Sequence, residues 1–414
     1  MVDSMNRNIR ISLAALFLAP AAAAPLAAQE WTALFDGKTL NGWTQVNGTA
    51  SYEVKDGAIV GTTAEGSPNS FLATTREYGD FELAFEVLVD PVLNSGVQIR
   101  SHQYQQEAEV ITENRGAQRR THPAGRVYGY QVEIADEKRG VSGGIYDEAR
   151  RGWIANIEGH PVASKAFVDN RWNKYTVTAI GDRIRTFVNG VPCADLVDPM
   201  DQEGFIALQV HQFKGEKPAQ VRWRNIRIKD LGRHVWKPLW DGKSLAGWTP
   251  HGGGDWAVAD GAIRGTQAPG AGKQGFLVSD AEHTDFTMRL KYRARRGNSG
   301  VFFRMASPDD RDGLGYEVEV DPMRDVGGLQ APGTRNWLVH TGRLEETPFY
   351  QPGEWNEMAV SAHGGRIVVH INGKKTAELM NDPGRRSGRF ALQLNAGQDL
   401  EVWYKDIELL VKAQ

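Results

Sequence analysis

The stretch Trp172-Asn-Lys-Tyr-Thr-Val-Thr-Ala-Ile180, followed by Gly181-Asp182 and then Arg183-Ile-Arg-Thr-Phe-Val188, decides the fold class. Apolar and polar residues alternate on both sides of a Gly-Asp pair, the pattern of a β-hairpin with a tight turn. Phe81-Glu-Leu-Ala-Phe-Glu-Val-Leu-Val89 alternates in the same way. Asn189-Gly190 and Asn372-Gly373 mark further tight turns. No stretch carries a sustained helical period. Many short strands at regular spacing predict an all-β chain of antiparallel sandwiches of the jelly-roll type.

The chain also repeats itself. Trp31-Thr-Ala-Leu-Phe-Asp-Gly-Lys-Thr-Leu-Asn-Gly-Trp43 recurs as Trp236-Lys-Pro-Leu-Trp-Asp-Gly-Lys-Ser-Leu-Ala-Gly-Trp248. Asn94-Ser-Gly-Val recurs at Asn298, Gly129-Tyr-Gln-Val-Glu133 at Gly315, and Gly204-Phe-Ile-Ala-Leu-Gln209 at Gly388. The offset falls from 204 at Asn94 to 186 at Gly129, so the first copy carries 18 additional residues between His102 and Arg126. This is one domain duplicated, with copies over 30–231 and 235–412. The insertion holds Glu107, Glu109, Glu113, Arg115, Arg119 and Arg120. It reads as a lid or a solvated loop, and its charge density favours the loop.

Arg7 and Arg10 precede a short apolar run from Ile11, then Pro20 and a string of alanines. This predicts a secretory signal over 1–28 and a secreted or periplasmic product. No later segment is apolar enough to predict membrane insertion. Forty-eight basic against 51 acidic residues, a formal charge of −3, remove the usual electrostatic argument for nucleic acid as partner. The single cysteine, Cys193, excludes an intrachain disulfide and a multi-cysteine metal site.

Strand alternation splits each motif into two faces. Val97, Ile99, Tyr130, Val132, Ile134, Ile206, Leu208 and Val210 are expected in the core, with Trp172 and Trp355 beside them. Gln98, Arg100, Gln131, Glu133, Gln209 and His211 are expected on the opposite face. Asp136, Tyr146, Asp147, Glu148, Arg150 and Arg151 would rim that surface, and Tyr128, Tyr146 and Trp153 offer rings for stacking. A solvated outer face is the plain reading of each strand alone. Repeated Gln, Arg, Glu and His on three strands instead suit a polyhydroxylated ligand, whose hydroxyls need paired donors and acceptors. The second copy keeps Arg304, Glu317, Glu319 and Gln393, but carries Phe302 for Gln98 and Asn395 for His211. Chemistry is therefore expected in the first copy.

At these residues the chain resembles the 3-keto-disaccharide hydrolase domain family, a concanavalin-like jelly roll. The carrying motifs are Leu34-Phe-Asp-Gly-Lys-Thr-Leu-Asn-Gly-Trp43, Asn94-Ser-Gly-Val-Gln-Ile-Arg100, Gly129-Tyr-Gln-Val-Glu-Ile-Ala-Asp136, Ser142-Gly-Gly-Ile-Tyr146 and Leu208-Gln-Val-His211. The family pattern reads Tyr-Glu-Val-Gln where this chain has Tyr130-Gln-Val-Glu133. The resemblance implies cleavage of 3-keto-glycosides by removal of the C2 proton, expulsion of the aglycone from C1, and addition of water. Glu133 and His211 are then the expected base and acid, and Arg100 the oxyanion partner, with Asp136 and Tyr146 positioning hydroxyls. Gln98, Gln131, Glu148, Arg151, Trp153 and Gln209 would contact the sugar. Glu133, Asp136 and His211 could instead hold a divalent cation that polarises the ketone. Because such sandwiches also serve as lectins, a non-catalytic carbohydrate-binding protein is the competing reading, and an interaction domain of the laminin-G kind a third.

Overall fold

The computed structural model describes residues 30–112, 117–343 and 348–413. The expected signal segment, Glu113 and Arg115 lie outside them. Each copy forms a sandwich of two antiparallel sheets. In the first copy, one sheet runs in the order Val191–Val197, Arg183–Val188, Asn173–Ile180, Asp80–Val89, Gln220–Gly232, Ala58–Thr62, Ser51–Lys55. The other runs Gly152–Ala155, Ile145–Glu148, Val127–Ile134, Ser95–Gln103, Gly204–Val210, Ser70–Tyr78, Trp43–Val46. The second copy repeats both orders, with Tyr316–Val320 next to Ser299–Met305 in the place of Val127–Ile134 next to Ser95–Gln103. No helix among the described residues is long and apolar enough to cross a membrane.

The alternation places the core as the residue pattern requires. Val97, Ile99, Tyr130, Val132, Ile134, Ile206, Leu208 and Val210 all point between the sheets and are buried there. Trp172 and Trp355 do not join them. Both are half-buried, and their rings lie under cations instead: Arg224 at 4.1 Å from the Trp172 ring, Lys405 at 4.4 Å from that of Trp355. The neighbouring asparagine carries the structural role of the Trp-Asn pair. Asn173 is buried and closes a loop by bonding the main chain of Val168 on both sides of its amide.

The insertion is more ordered than the loop expected for it. It forms a hairpin of its own, Ala108–Thr112 against Gln118–His122. Glu107, Glu109, Arg119 and Arg120 face solvent.

The two sandwiches meet through polar contacts, of which that of Asp182 is buried. Asp182 of the first copy accepts from the hydroxyls of Thr287 (2.6 Å) and Ser361 of the second. Arg366 of the second copy bonds Asp195 (2.8 Å), and Arg151 of the first donates to the Gly373 carbonyl (2.8 Å).

Candidate functional site

The sheet that carries Val127–Ile134 turns its outer face into a cavity of about 460 Å³. Its lining is Asn69, Asn94, Gln131, Glu133, Arg139, Tyr146, Glu148, Trp153 and His211. Glu133 is the centre of its bonding network. Asn94 donates to one carboxyl oxygen at 2.5 Å and Gln131 to the other at 2.9 Å. Gln131 is itself held from behind, since its side-chain oxygen accepts from Gln98 (2.8 Å) and Gln209 (2.7 Å). That pair of donors dictates which end of the Gln131 amide faces Glu133. The close packing of this face needs Gly96, where a Cβ would stand 2.5 Å from the Gln131 side chain.

Gln98, Gln131, Gln209 and Glu133 are all buried, so the solvated-face reading fails for this sheet. Burial pushes the Glu133 carboxyl up to about 7, and the hydrogen bonds from Asn94 and Gln131 partly counter it. Gln98 and Gln209 do not line the cavity. They support Gln131 beneath it.

His211 follows the last residue of strand Gly204–Val210 and is half-buried at the cavity wall. Its Nδ1 lies 2.7 Å from the Gln212 carbonyl. A carbonyl only accepts, so Nδ1 carries a proton, and Nε2 is the ring nitrogen left to exchange one with a ligand. Asn69 joins the opposite walls: it donates to Glu148 (3.0 Å) and accepts from the Gln212 main chain (2.9 Å). Glu148 also binds Arg126. Tyr146 and Trp153 meet edge to face, with centroids 5.4 Å apart.

Several expected members stand elsewhere. Arg100 is not in the cavity. Its backbone is left-handed (φ 44°) at the point where the pairing with both neighbouring strands shifts register. The shift takes its side chain off the polar face and into a buried nest. There it donates to the carbonyls of Gly79 (2.8 Å) and Gly181 (2.6 Å) and pairs with Asp80. Arg304 repeats this, with φ 54° and bonds to Thr284 and Gly364. The arginine is thus a structural feature of both copies.

Asp136 accepts from the main chain of Arg139 (3.0 Å), which shapes the turn that brings Arg139 to the rim. Arg151 is committed to Asp147, Asp198 and the interdomain contact. Asp147 and Arg150 pair with each other beneath the rim. Tyr128 stacks on Tyr104 at 4.2 Å and does not line the cavity. The proposed cation ligands do not converge: among the described residues no three His, Cys, Asp or Glu side chains are grouped closely enough to hold a metal ion.

Asn69, Asn94 and Arg139 were missed as site residues. Asn94 was legible as part of a repeated motif, since Asn298 bonds Glu319 in the same way. Asn69 lies in none of the repeated motifs, and the Asp136-Glu-Lys-Arg139 run, which recurs as Asp321-Pro-Met-Arg324, was not used.

The second copy keeps the scaffold and a buried carboxylate, Glu319, which accepts from Asn298 and from Gln330 (2.9 Å), but changes the residues around it. Phe302 fills the place of Gln98 and packs edge to face on Phe276 at 5.3 Å, within an apolar cluster that includes Met305 and Leu314. Asn395 replaces His211 and donates to Asn298 (3.2 Å). Glu317 and Glu319 are both buried; burial and mutual repulsion hold Glu317 well above the usual carboxylate range.

A family model described as the 3-keto-alpha-glucoside-1,2-lyase-like domain matches residues 30–229 and again 235–410. The chain belongs to this family. Both copies are members, and together they account for most of the sequence. Among solved structures the chain is similar to a Parabacteroides distasonis protein provisionally described as a glycosyl hydrolase. That pair shares 17% identity over 49% of this chain and 94% of the other, with a TM-score of 0.33. It is similar also to the carbohydrate-binding module CBM66 of Bacillus subtilis (19% identity, 39% and 93% covered, TM-score 0.32). A Bacillus subtilis protein of unknown function with a galectin-like fold gives 14% identity, 43% and 100% covered, and a TM-score of 0.35. No curated protein matches the chain.

Proposed function

We propose that the first copy is an enzyme that cleaves 3-keto-glycosides by elimination followed by hydration, in a secreted or periplasmic setting. The observation that carries this reading is the buried Glu133 carboxyl, gripped by Asn94 and Gln131 on the floor of a cavity that His211, Tyr146 and Trp153 also line.

Both Glu133 oxygens accept hydrogen bonds, which suits the ionised form, and burial brings its proton affinity close to neutrality. A ketone at C3 acidifies the hydrogen on C2. Glu133 takes that proton, the electron pair forms the C1–C2 double bond, and the C1–O bond breaks. His211, protonated at Nε2, gives its proton to the departing oxygen. The neutral ring then accepts a proton from the water that adds to C1, and Glu133 returns its proton to C2. The sum is hydrolysis. Arg139 is the cation at the rim, suited to the charge that develops on the ketone oxygen. Tyr146 and Trp153 supply ring surface for the sugar.

The test separates the two proton transfers. In D2O, wild type should exchange the C2 hydrogen of a 3-keto-glucoside and release 3-ketoglucose. Glu133→Gln should lose both. His211→Asn should keep exchange while release falls by roughly 10²–10⁴. Tight binding of the sugar by wild type, with neither exchange nor release, would establish the carbohydrate-binding reading instead.

A further inference from the structure

A second cavity, of about 470 Å³, lies where the two sandwiches meet, and Trp153 lines both it and the site described above. Trp153 belongs to Gly152–Ala155, the edge strand of the site sheet. It therefore forms a shared wall between the Glu133 cavity and the interdomain one.

One side of the interdomain cavity is apolar. Val110 and Ile111 come from the inserted hairpin, Ile154, Leu196 and Met200 from the first sandwich, and Phe349 from the second. The other side carries Gln351, Asn372, Lys374 and His370, whose Nδ1 is buried without a partner, beside charges that pair among themselves. Arg150 pairs with Asp147 and Asp201, Arg151 with Asp147 and Asp198, and Lys375 with Glu378. The apolar side receives an apolar group at the least cost, because a hydroxyl set against it would lose its water without gaining a partner. The hairpin that supplies Val110 and Ile111 is the 18-residue insertion present only in the copy with the Glu133–His211 site.

We propose that this interdomain cavity is the leaving-group site, and that the substrate is a 3-keto-glycoside with an apolar aryl or alkyl aglycone rather than a second sugar. The second sandwich then completes the site with Phe349 instead of performing chemistry of its own. The bond broken is still C1–O, and the aglycone departs as its alcohol or phenol with the proton from His211. The inference rests on the reading of the Glu133 cavity as a keto-glycoside site.

The experiment compares kcat/KM for phenyl and methyl 3-keto-glucosides, in both anomers, and for 3-keto-trehalose. Wild type should prefer phenyl over methyl by roughly tenfold or more, and over 3-keto-trehalose. Ile111→Asn, on a half-exposed hairpin position where the fold is not at risk, should lose most of that preference while the methyl substrate stays within about twofold. Phe349→Ala should do the same from the other sandwich. Equal rates on phenyl and methyl substrates, equal losses on both in the variants, or a preference for 3-keto-trehalose would overturn the proposal. If wild type cleaves none of the three, the enzymatic reading fails on its own. Calorimetric binding of the same phenyl and methyl ligands then decides the cavity: a preference lost in Ile111→Asn upholds the apolar site, and no preference refutes it.

Discussion

Gln131 donates its side-chain amide to Glu133 Oε2 at 2.9 Å, from two positions earlier on the same face of one strand. Burial raises the Glu133 carboxyl, and this bond, with the one from Asn94, favours the ionised form and partly offsets that rise.

With Glu133 at about 7 and acting as a base, kcat/KM should rise with pH on a limb centred near neutrality. Gln131→Leu removes one donor to the ionised form, so the rising limb should move upward by roughly one pH unit. The same change leaves the amides of Gln98 and Gln209 without their acceptor, at a cost of about 1–3 kcal/mol in stability. A pH–rate profile of 3-ketoglucose release checks the first expectation, and a limb that stays in place contradicts it.

Stability should carry the same signature. A carboxyl whose folded value lies above its unfolded one contributes stability that is full below about 4.5 and lost as pH rises through about 7. Glu133→Gln should abolish that loss, up to about 3 kcal/mol between acid and pH 8. Urea midpoints of both proteins across this range give the comparison.

Arg100 should matter to folding rather than to chemistry. Removing its guanidinium leaves Asp80 buried, with His234 (2.6 Å) and the Gly181 amide (2.9 Å) as remaining partners. Arg100→Met should cost roughly 3–5 kcal/mol. The fraction that remains folded should keep the wild-type kcat, which active-site titration alongside thermal melts would show.

Acid should loosen the contact between the sandwiches. His370 is buried at that contact, and burial lowers it to about 4 despite Asp198 at 3.7 Å; Arg151 and Lys375 push the same way, while Asp182 opposes. A histidine lowered in the folded state contributes stability present above about 6.5 and lost as pH falls through about 4. His370→Asn should flatten the decline between these values by up to about 3 kcal/mol. Equal slopes for variant and wild type in a pH series of melts would refute this.

Side-chain alternation made the sandwich, the duplication and the division of each strand into core and polar faces legible in the sequence. Tyr130, Gln131, Val132 and Glu133 follow that period without exception. It failed at Arg100, because a register shift and a left-handed residue depend on what the two neighbouring strands present. It also gave Trp172 and Trp355 to the core, although a strand-end ring can bury itself against a surface cation instead. Asp136 and Arg151, expected at the sugar, do not line the Glu133 cavity. Their partners, a turn amide and a carbonyl of the other sandwich, are far from any local pattern.

Period-two patterning is a local property, and from it the chain alone determined the fold class, the repeat and the presence of Glu133, Gln131 and His211 on one face. Which of the polar residues meet at a cavity was decided only by tertiary structure. That choice depends on loops bringing Asn69 and Arg139 to the rim and on two sandwiches packing so that Trp153 borders a second hollow. Such contacts join residues far apart in the chain, and their energies come from geometry that no single segment encodes.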